Sequence, residues 1–528
     1  MSSVDDLCRS YLDLKWHFDP SDASSDGVPA QDARLGSFDP ESMRAHLAAF
    51  RSLEGAIEEL EPPDLASEID RTALLDDLRT LVFRFEHERP HERNPGFWLT
   101  HLFEGIFSLL VRQGPLAERA PAALERLKAA PAFLAQASAT LNEPPIVFVD
   151  SALAALGGGG ELIARAVSAL GDAAPGIAGE FEAAGREALE ALASFGRALG
   201  TEILPSEDPR AYAVGEEQFE RRLHHEHAIR GGAPELWRYG MHLIEDTQER
   251  LKATARRLGG SADWRGQLER LRESAPASDM LGAYRDEAER SRRFIEAHAL
   301  VPVTSVPLDI TPTPGFLQSL VPFAAYQPPP VELGGPALFF VTPPSDGTVA
   351  VQCVHEIPSI VIHEAYPGHH TQVTAAQALR SEVRRHVRTP VNVEGWALYA
   401  ETLMFDAGYF ATPEAQLFHL NDLLWRAVRI IVDVGLHTRD MTPAEAVNRM
   451  TDTLPMERRK AEAEVRRYCA MPTYQLSYAI GRRDLLALRE AWRARAGADA
   501  PLADFHRELF TYGGLPFALA RWGMGLDP

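Results

Sequence analysis

The chain is poor in cysteine, with three cysteines in 528 residues. Cys8, Cys353 and Cys469 lie far apart in the sequence, which excludes a disulfide framework and a four-thiolate zinc site. A reducing compartment is the simplest interpretation. The first residues also lack an uninterrupted apolar run and carry two early aspartates, so no signal peptide is predicted. We therefore expect a cytoplasmic protein.

Basic residues are outnumbered, since 53 Lys and Arg stand against 75 Asp and Glu, giving a formal net charge of -22. Such an acidic chain repels phosphate backbones and anionic lipids, so we expect no nucleic-acid partner and no membrane role. No segment offers the roughly 18 to 20 uncharged apolar residues of a membrane-spanning helix. The sequence leaves the oligomeric state open.

The residues from about 40 to 300 alternate apolar and charged positions at helical spacing, and this pattern returns after residue 351. We predict a mainly α fold with an N-terminal helical region, 1–300, and a catalytic region, 301–528, packed as one unit around a shared cleft. The four glycines at 157–160 favour a break between helices, because glycine weakens a helix interior.

Residues 301–351 differ from the rest, being rich in proline, threonine and β-branched side chains. This composition predicts short strands, and hence a small β-sheet inserted in a helical protein. An edge strand of this sheet could hold an extended substrate by pairing with it. Alternatively, the strands only cover the core, and both interpretations stay open.

The most informative stretch, HEAYPGHH, begins at His363. Zinc hydrolases of the HExxH type place two histidines one helical turn apart, with the intervening glutamate free to activate water. Here Pro367 occupies the position of the second histidine. Either the motif is broken, or the chain is rebuilt between two helices predicted over 359–366 and 370–387.

Helix geometry favours His369 over His370 as the second ligand. On a straight helix His370 would lie about 10.5 Å along the axis from His363, too far to share one zinc. Pro367 would clash with the carbonyl of His363, so the helix is expected to be distorted. A two-residue bulge at 366–367 would bring His369 into position, leaving His370 beside the ligand as a supporting or substrate-facing group.

The segment EGWALYAE supplies two carboxylates, Glu394 and Glu401, seven residues apart and therefore on one helix face. It resembles the NEGFAxYxE segment of gluzincin aminopeptidases, whose first glutamate binds zinc. By this match Glu394 is the third ligand, Gly395 permits close helix packing, and Glu401 orients a ligating histidine. Glu364 is the candidate general base.

The mostly apolar segment LWRAVRIIVDVGLH contains four regularly spaced polar residues, Arg426, Arg429, Asp433 and His437. Their spacing of three or four residues places them on one helix face. Because the neighbours are apolar, we predict a buried polar stripe near the site, in which an arginine holds a substrate carboxylate. An internal ion-pair network explains the pattern equally well.

Together, HEAYPGHH, EGWALYAE, LWRAVRIIVDVGLH and PTYQLSYAIGRRDLL resemble the bacterial family known as domain of unknown function 885, placed among the HExxH-type gluzincin metallopeptidases. The resemblance implies zinc, peptide hydrolysis and a helical fold of the thimet oligopeptidase or carboxypeptidase Taq type, with helices enclosing a channel. Tyr478 matches a recurrent tyrosine of this family. It could donate a hydrogen bond to an oxyanion, or be a core tyrosine.

These observations predict a zinc-dependent peptidase that hydrolyses oligopeptides with a metal-activated water. The alternatives are a metal-dependent hydrolase of another or a modified amide, and a catalytically silent helical binding protein. The predicted roles are Zn²⁺ binding by His363, His369 and Glu394, general base catalysis by Glu364, oxyanion stabilisation by Tyr478 with His370 or His437, substrate binding by Arg426 or Arg429, and support by Glu401 and Asp433.

Overall fold

The computed structural model describes residues 3–275, 277–314, 324–343, 352–497 and 499–526. Within these ranges, the α-helices before the sheet are α1 (Val4–Phe18), α2 (Pro20–Asp26), α3 (Pro40–Glu58), α4 (Leu65–Phe83), α5 (Pro90–Arg93), α6 (Pro95–Val111), α7 (Leu116–Thr140), α8 (Ile146–Ala173), α9 (Ala178–Thr201), α10 (Gly215–His225), α11 (Ala233–Gly259), α12 (Trp264–Ser274) and α13 (Met280–Ala297). Single helical turns of other types lie at Pro29–Gln31, Arg84–Glu88 and Pro175–Ile177.

The helices after the sheet carry the predicted site. They are α14 (Ile357–Glu364), α15 (His369–Gln377), α16 (Glu382–His386), α17 (Pro390–Asp406), α18 (Pro413–Thr438), α19 (Pro443–Thr453), α20 (Arg458–Ala470), α21 (Ser477–Ala496), α22 (Leu502–Phe510) and α23 (Phe517–Gly523). The single helix expected over 370–387 is therefore two helices, α15 and α16, and its first residue is His369.

Helix starts follow ordinary capping chemistry. Asp39 accepts hydrogen bonds from the first turn of α3 and precedes Pro40. At α19, Thr442 and Glu445 form a reciprocal capping box. Both devices satisfy amide groups that have no partner inside the helix, and proline at the first position has no amide to satisfy.

In the sequence, three strands separate the two groups of helices. They form one sheet with the strand order β1-β3-β2. Its strands are β1 (Leu308–Pro312), β2 (Ala324–Gln327) and β3 (Ala337–Val341). β3 pairs in parallel with β1 and antiparallel with β2. The small sheet expected before the metal helix is confirmed, as is the mainly helical fold. Residues 315–323 and 344–351 of the predicted strand segment lie outside the described residues.

One hydrophobic core runs through both predicted regions of the chain. It includes Trp98 and Leu236 from the N-terminal helices together with Trp396 and Leu515 from the C-terminal ones. A second, smaller core packs α13 and the sheet against α14 and α17. Residues 1–300 and 301–528 therefore share buried surface instead of forming separate cores.

The expected break at 157–160 is wrong, because these glycines lie inside α8. A Cβ at Gly159 would lie 1.8 Å from the ring of Phe103, so this glycine permits close packing of α8 on α6. α8 is also long and apolar enough to cross a membrane by length and composition, and 33% of its most apolar window is buried. Core helices of soluble proteins meet the same criteria, so this finding does not assign a membrane role.

Candidate metal centre

The HEAYPGHH stretch is not one straight helix. α14 ends at Glu364 and α15 begins at His369, so residues 365–368 interrupt the helix where a two-residue bulge was expected. A Cβ at Gly368 would lie 1.9 Å from the carbonyl oxygen of His363, so only glycine fits at this position between the two helices. The indole of Trp396 donates a hydrogen bond to the carbonyl of Pro367 at 2.8 Å. The predicted distortion is confirmed, and it extends over four residues.

The interruption brings three predicted ligands together. His363 from α14, His369 from α15 and Glu394 from α17 each offer one ligand atom, all within 4.8 Å of one another. The Nε2 atoms of both histidines lie 3.5 Å from Glu394 Oε2. All three side chains are largely buried, with relative exposures between 9 and 12%.

Close helix packing sets the position of Glu394. A Cβ at Gly395 would lie 2.5 Å from the Cα of Gly481, and a Cβ at Gly481 would lie 2.0 Å from the carbonyl oxygen of Val391. α17 and α21 therefore approach with backbone against backbone at this crossing. Any larger residue at either glycine would push the two helices apart and move Glu394.

Glu394 is held by one oxygen and free at the other. The Tyr474 hydroxyl donates a hydrogen bond to Glu394 Oε1 at 2.7 Å. Glu394 Oε2 and His369 Nδ1 are buried and have no hydrogen-bond partner among the described residues. A buried carboxylate oxygen without a partner is costly, and a cation bound there would satisfy it.

The carboxylate of Glu401 orients His363 by contacting the ring nitrogen that does not face Glu394. His363 Nδ1 contacts Glu401 Oε1 at 2.8 Å, and His419 Nδ1 contacts Glu401 Oε2 at 3.3 Å. Because Nδ1 of His363 is engaged, its Nε2 is the nitrogen that faces Glu394. This is the arrangement by which a carboxylate fixes the tautomer and ring orientation of a metal-binding histidine.

The pKa values of these groups reflect their mutual contacts. Burial acts to raise the pKa of Glu401, but the contacts with His363 and His419 outweigh it and hold that pKa below its ordinary range. The pKa of Glu394 is likewise held well below its ordinary value, against burial, by His363 and His369. Burial lowers the pKa of His363, yet Glu394 and Glu401 raise it to about 10. The cluster therefore favours positive charge at its centre.

The distances fit a tetrahedral metal. Two ligand atoms, each held roughly 2.0 to 2.1 Å from one zinc at tetrahedral angles, lie about 3.4 Å apart. The two observed separations of 3.5 Å match this value. Two histidine nitrogens and one carboxylate oxygen leave a fourth position open, which is the donor set of catalytic zinc sites.

Glu364 and Tyr478 border this cluster. Glu364 is the last residue of α14 and is half-buried, next to His363. The Tyr478 ring stacks on the His363 ring at 6.2 Å between centroids, and the Arg429 guanidinium lies 4.8 Å from the Tyr478 ring centroid. Tyr478 is 9% exposed, and burial raises the pKa of its hydroxyl, followed by the charge of Glu394.

His370 does not join the ligands. Its Nε2 contacts the carbonyl oxygen of Val306 at 3.0 Å, and its Nδ1 lies 3.3 Å from the Tyr326 hydroxyl on β2. The side chain is fully buried, and burial lowers its pKa to about 4. Both ring nitrogens are thus used in joining α15 to the sheet region, so the predicted oxyanion role of His370 is replaced by a structural one.

His437 is enclosed by other residues than the predicted ligands, which corrects its predicted oxyanion role. Its ring stacks on Phe219 and its Nε2 contacts the carbonyl oxygen of Tyr468 at 3.2 Å. The side chain is fully buried. A substrate cannot reach it without opening the core around α18.

Asp433 supports the site through the backbone. Its carboxylate accepts hydrogen bonds from the amides of Thr473 and Leu476, both at 3.2 Å. Burial raises its pKa to about 7 against the effect of these bonds. Because Tyr474 lies between the two amides, Asp433 fixes the turn that presents Tyr474 to Glu394.

The two arginines of the predicted stripe differ. Arg429 donates to the Tyr468 hydroxyl at 2.9 Å and pairs with Glu464 at 3.5 Å, which is the internal network that the sequence also allowed. Arg426 contacts Asp422 one turn earlier at 3.6 Å, and its Nε is buried without a partner among the described residues. Of the two, Arg426 keeps more capacity for a ligand.

Tyr474 and His419 were missed by the sequence analysis. Tyr474 lies four residues before Tyr478, a helical spacing that could have pointed to a shared face. His419 lies seven residues before Arg426, so extending the polar stripe of α18 by two turns would have included it. Neither spacing identifies the partner, because Glu394 and Glu401 are on another helix.

Comparison with known proteins agrees with the sequence motifs. A family model described as a bacterial protein of unknown function, DUF885, matches residues 20–524. The chain belongs to this family. Among curated proteins, none matches this chain.

Two solved structures, both described as putative lipoproteins, share the fold. One, from Shewanella oneidensis and of unknown function, is 21% identical with a TM-score of 0.82, over 99% of this chain and 100% of that chain. The other, from Colwellia psychrerythraea, is 18% identical with a TM-score of 0.84, over 99% of both chains. At this identity the likeness concerns the fold of the DUF885 chain alone, and the predicted thimet oligopeptidase or carboxypeptidase Taq type stays a prediction.

Proposed function

We propose that this DUF885 chain is a zinc-dependent peptidase that hydrolyses oligopeptides. The observation that carries the proposal is the convergence of His363 Nε2, His369 Nε2 and Glu394 Oε2 at spacings that fit one tetrahedral zinc. Two further features support it: Glu394 Oε2 has no partner among the described residues, and Glu401 orients His363 from behind. Zinc bound there would supply Lewis acidity, polarising a carbonyl and lowering the pKa of a water molecule.

The chain's own residues would then carry the proton and stabilise charge. Glu364, next to the ligand His363, takes the proton from the attacking water and returns it to the leaving amine. Tyr478, held between His363 and Arg429, donates a hydrogen bond to the oxygen on which negative charge develops. Tyr474 keeps Glu394 oriented, so the two tyrosines have separate roles.

The test combines metal analysis with cleavage of a peptide library by the purified protein. We expect about one zinc per chain and cleavage that a chelator abolishes. Glu364→Gln should keep its zinc and lose roughly 10² to 10⁴-fold in rate, as expected for loss of a general base. Glu382→Gln, a half-buried glutamate on α16, is the matched control and should retain activity. Stoichiometric zinc without chelator-sensitive cleavage of plain, N-acylated or C-blocked peptides would contradict the proposal.

A further inference from the structure

A buried histidine outside the ligand set links two segments of the metal centre. His227 follows the C-terminal end of α10 and is 2% exposed. Its Nδ1 lies 2.9 Å from Thr389 Oγ1, and its Nε2 lies 3.0 Å from Thr473 Oγ1. Thr389 directly precedes α17, which carries Glu394, and Thr473 directly precedes Tyr474. One imidazole therefore contacts both segments that supply the partners of the Tyr474–Glu394 hydrogen bond.

The direction of the two hydrogen bonds of His227 follows from its partners. The Thr473 hydroxyl donates its one proton to the carbonyl oxygen of Pro472 at 2.6 Å. It must therefore accept from His227 Nε2, which carries the ring proton. In a neutral ring Nδ1 is then an acceptor, and the Thr389 hydroxyl donates to it. Burial lowers the pKa of His227 and outweighs the opposite effect of Glu226, which keeps the ring neutral.

The hydroxyl of Thr389 is used in an unusual way. Thr389 occupies the N-cap position of α17, where a threonine hydroxyl ordinarily accepts a hydrogen bond from the first turn of the helix. Within α17, all of whose residues are described, no amide donates to this hydroxyl. It points to His227 instead. The start of α17 is therefore fixed by the segment after α10 and not by its own cap.

The backbone of Thr473 is strained. Its φ is 67°, in the left-handed region that a β-branched residue rarely adopts. Such a conformation persists only where the surrounding contacts hold it, and it is frequent at functional sites. Asp433 accepts a hydrogen bond from the Thr473 amide at 3.2 Å, and His227 holds the hydroxyl of the same residue. Because Tyr474 is the next residue, the direction of its side chain depends on how Thr473 is held.

We propose that His227 is a positioning residue for the metal centre. It holds the strained turn at Thr473 against the start of α17 at Thr389. This keeps the Tyr474 hydroxyl on Glu394 Oε1 and leaves Glu394 Oε2 directed at the two histidines. That Glu394 then binds zinc rests on the proposed function. The effect of His227 on the Tyr474–Glu394 hydrogen bond does not.

Two substitutions separate the two hydrogen bonds of His227. His227→Gln places an amide nitrogen near the position of Nε2 and keeps the bond to Thr473. His227→Asn places an amide oxygen near the position of Nδ1 and keeps only the bond to Thr389. We expect His227→Asn to weaken zinc binding about threefold, as for the loss of one neutral hydrogen bond, and His227→Gln to retain the wild-type affinity. Competition with a zinc-binding dye measures both, and Thr473→Val removes the same bond if His227→Asn does not fold.

A double-variant cycle with Tyr474→Phe tests whether His227 acts through that tyrosine. If it does, adding His227→Asn to Tyr474→Phe should leave the loss of zinc affinity at about the fivefold expected of Tyr474→Phe alone. Independent effects would multiply to about fifteenfold. A merely structural role of His227 would lower the urea midpoint of unfolding without this non-additivity in zinc affinity.

Fluorine NMR gives a readout that needs neither metal nor turnover. The protein is labelled with meta-fluorotyrosine and kept in chelator, and the Tyr474 resonance is identified as the one that Tyr474→Phe removes. His227→Asn should shift this resonance, because the hydroxyl loses its place on the Glu394 carboxylate. His227→Gln should restore the wild-type position of the resonance.

The matched control is His101→Asn. His101 is 8% exposed, and its ring nitrogens contact the Phe97 carbonyl oxygen at 2.7 Å and the Asp19 carboxylate at 3.0 Å. It is thus another buried histidine with both nitrogens engaged, and these partners lie in the N-terminal helical region. His101→Asn should change neither the zinc affinity nor the Tyr474 resonance.

The outcomes separate the two proposals. An unchanged Tyr474 resonance in His227→Asn, equal effects of His227→Asn and His101→Asn, or multiplied losses in the double variant would each overturn the positioning role. Zinc binding that depends on His227, in a protein that cleaves no peptide, supports this role and overturns the proposed function alone. A protein that binds no zinc also overturns the proposed function, and a shifted Tyr474 resonance in its His227→Asn variant still supports the positioning role.

Discussion

Among the described residues of this DUF885 chain, two clusters bring histidine and glutamate side chains together within metal-binding distance. One consists of His363, His369 and Glu394, and the other of Glu332, Glu382 and His386. In both, the candidate ligand atoms lie within 4.8 Å of one another. Proximity alone therefore does not distinguish a metal centre from an ion-pair network.

The charges around the two clusters differ. Arg9 pairs with both Glu332 and Glu382, and Arg385 pairs with the same two carboxylates at 3.8 and 3.1 Å. Around Glu394, by contrast, the ion pairs of the described residues involve only histidine. Two arginines already neutralise the two carboxylates of the second cluster, so it attracts a divalent cation less than the first cluster does.

The pKa values of His363 and His386 differ in the same sense as the charges around them. Carboxylate contacts overcome burial and raise the pKa of His363 to about 10. Burial lowers the pKa of His386 to about 4, with Arg385 and Arg9 acting in the same direction against Glu332. The cluster around Glu394 attracts positive charge, whereas arginines already compensate the carboxylates in the cluster around His386, called below the compensated cluster.

The largest expected effect is on zinc content. His363→Ala and Glu394→Ala should each reduce bound zinc from about one per chain to below a tenth, because each removes one of three protein ligands. His386→Ala and Glu382→Ala should leave zinc content unchanged. Plasma emission spectrometry of the dialysed proteins measures it, and zinc loss in the second pair alone would reverse the assignment of the two clusters.

A smaller effect is expected from the carboxylate that orients His363. Glu401→Gln should weaken zinc binding by roughly 10 to 100-fold, the usual effect of losing such an outer contact. Glu382→Gln makes the same isosteric change in the compensated cluster and should have no effect. Competition with a zinc-binding dye gives both values, and equal affinities would show that Glu401 does not tune the metal.

The second cluster, which contains His386, should instead affect the stability of the protein in acid. His386 has a lowered pKa in the folded state, so its contribution to stability is present above its unfolded pKa of about 6.5 and is lost as the pH falls towards 4. Between pH 7 and pH 5, His386→Gln should therefore lose about 2 kcal/mol less free energy of unfolding than the wild type.

Urea unfolding at the two pH values measures this difference. His298→Gln, an exposed histidine on the same fold, is the control and should follow the wild type. If His386→Gln showed the full acid-induced loss, burial of His386 would not be its cause.

The smallest expected effect concerns Tyr474. Tyr474→Phe removes the hydroxyl that holds Glu394 Oε1, which should weaken zinc binding by about 1 kcal/mol, or roughly fivefold. Tyr468→Phe, which removes a hydroxyl bonded to Arg429 on the neighbouring stripe, is the comparison and should change zinc affinity less. Similar losses in both variants would mean that the tyrosines act through packing and not through the ligand.

Local chemistry explains what could be predicted from sequence. Pro367 cannot continue a helix, so the distortion of the HEAYPGHH stretch follows from the residue itself. The preference for His369 over His370 follows from helix geometry, and close helix packing was predicted at Gly395, although its partner α21 was not. Composition likewise predicted the small sheet, since β-branched residues favour strands and prolines interrupt helices.

The incorrect predictions share a cause. Four consecutive glycines at 157–160 look like a break, yet packing against Phe103 keeps them helical. His437 looks catalytic in sequence, but Phe219 covers it. In each case a contact between residues distant in the chain outweighs the local preference.

By itself, the sequence determined the family, the mainly helical fold with its small sheet, and which residues can bind a metal, because residue type and spacing within one helix are local properties. The tertiary structure decided which of those residues meet. It selected Tyr474 and His419 as supports, turned His370 towards Val306, and left Glu394 Oε2 without a hydrogen-bond partner in the part of the chain that the structure describes. Such pairings depend on how separate helices cross, and that geometry is set by the packed core as a whole.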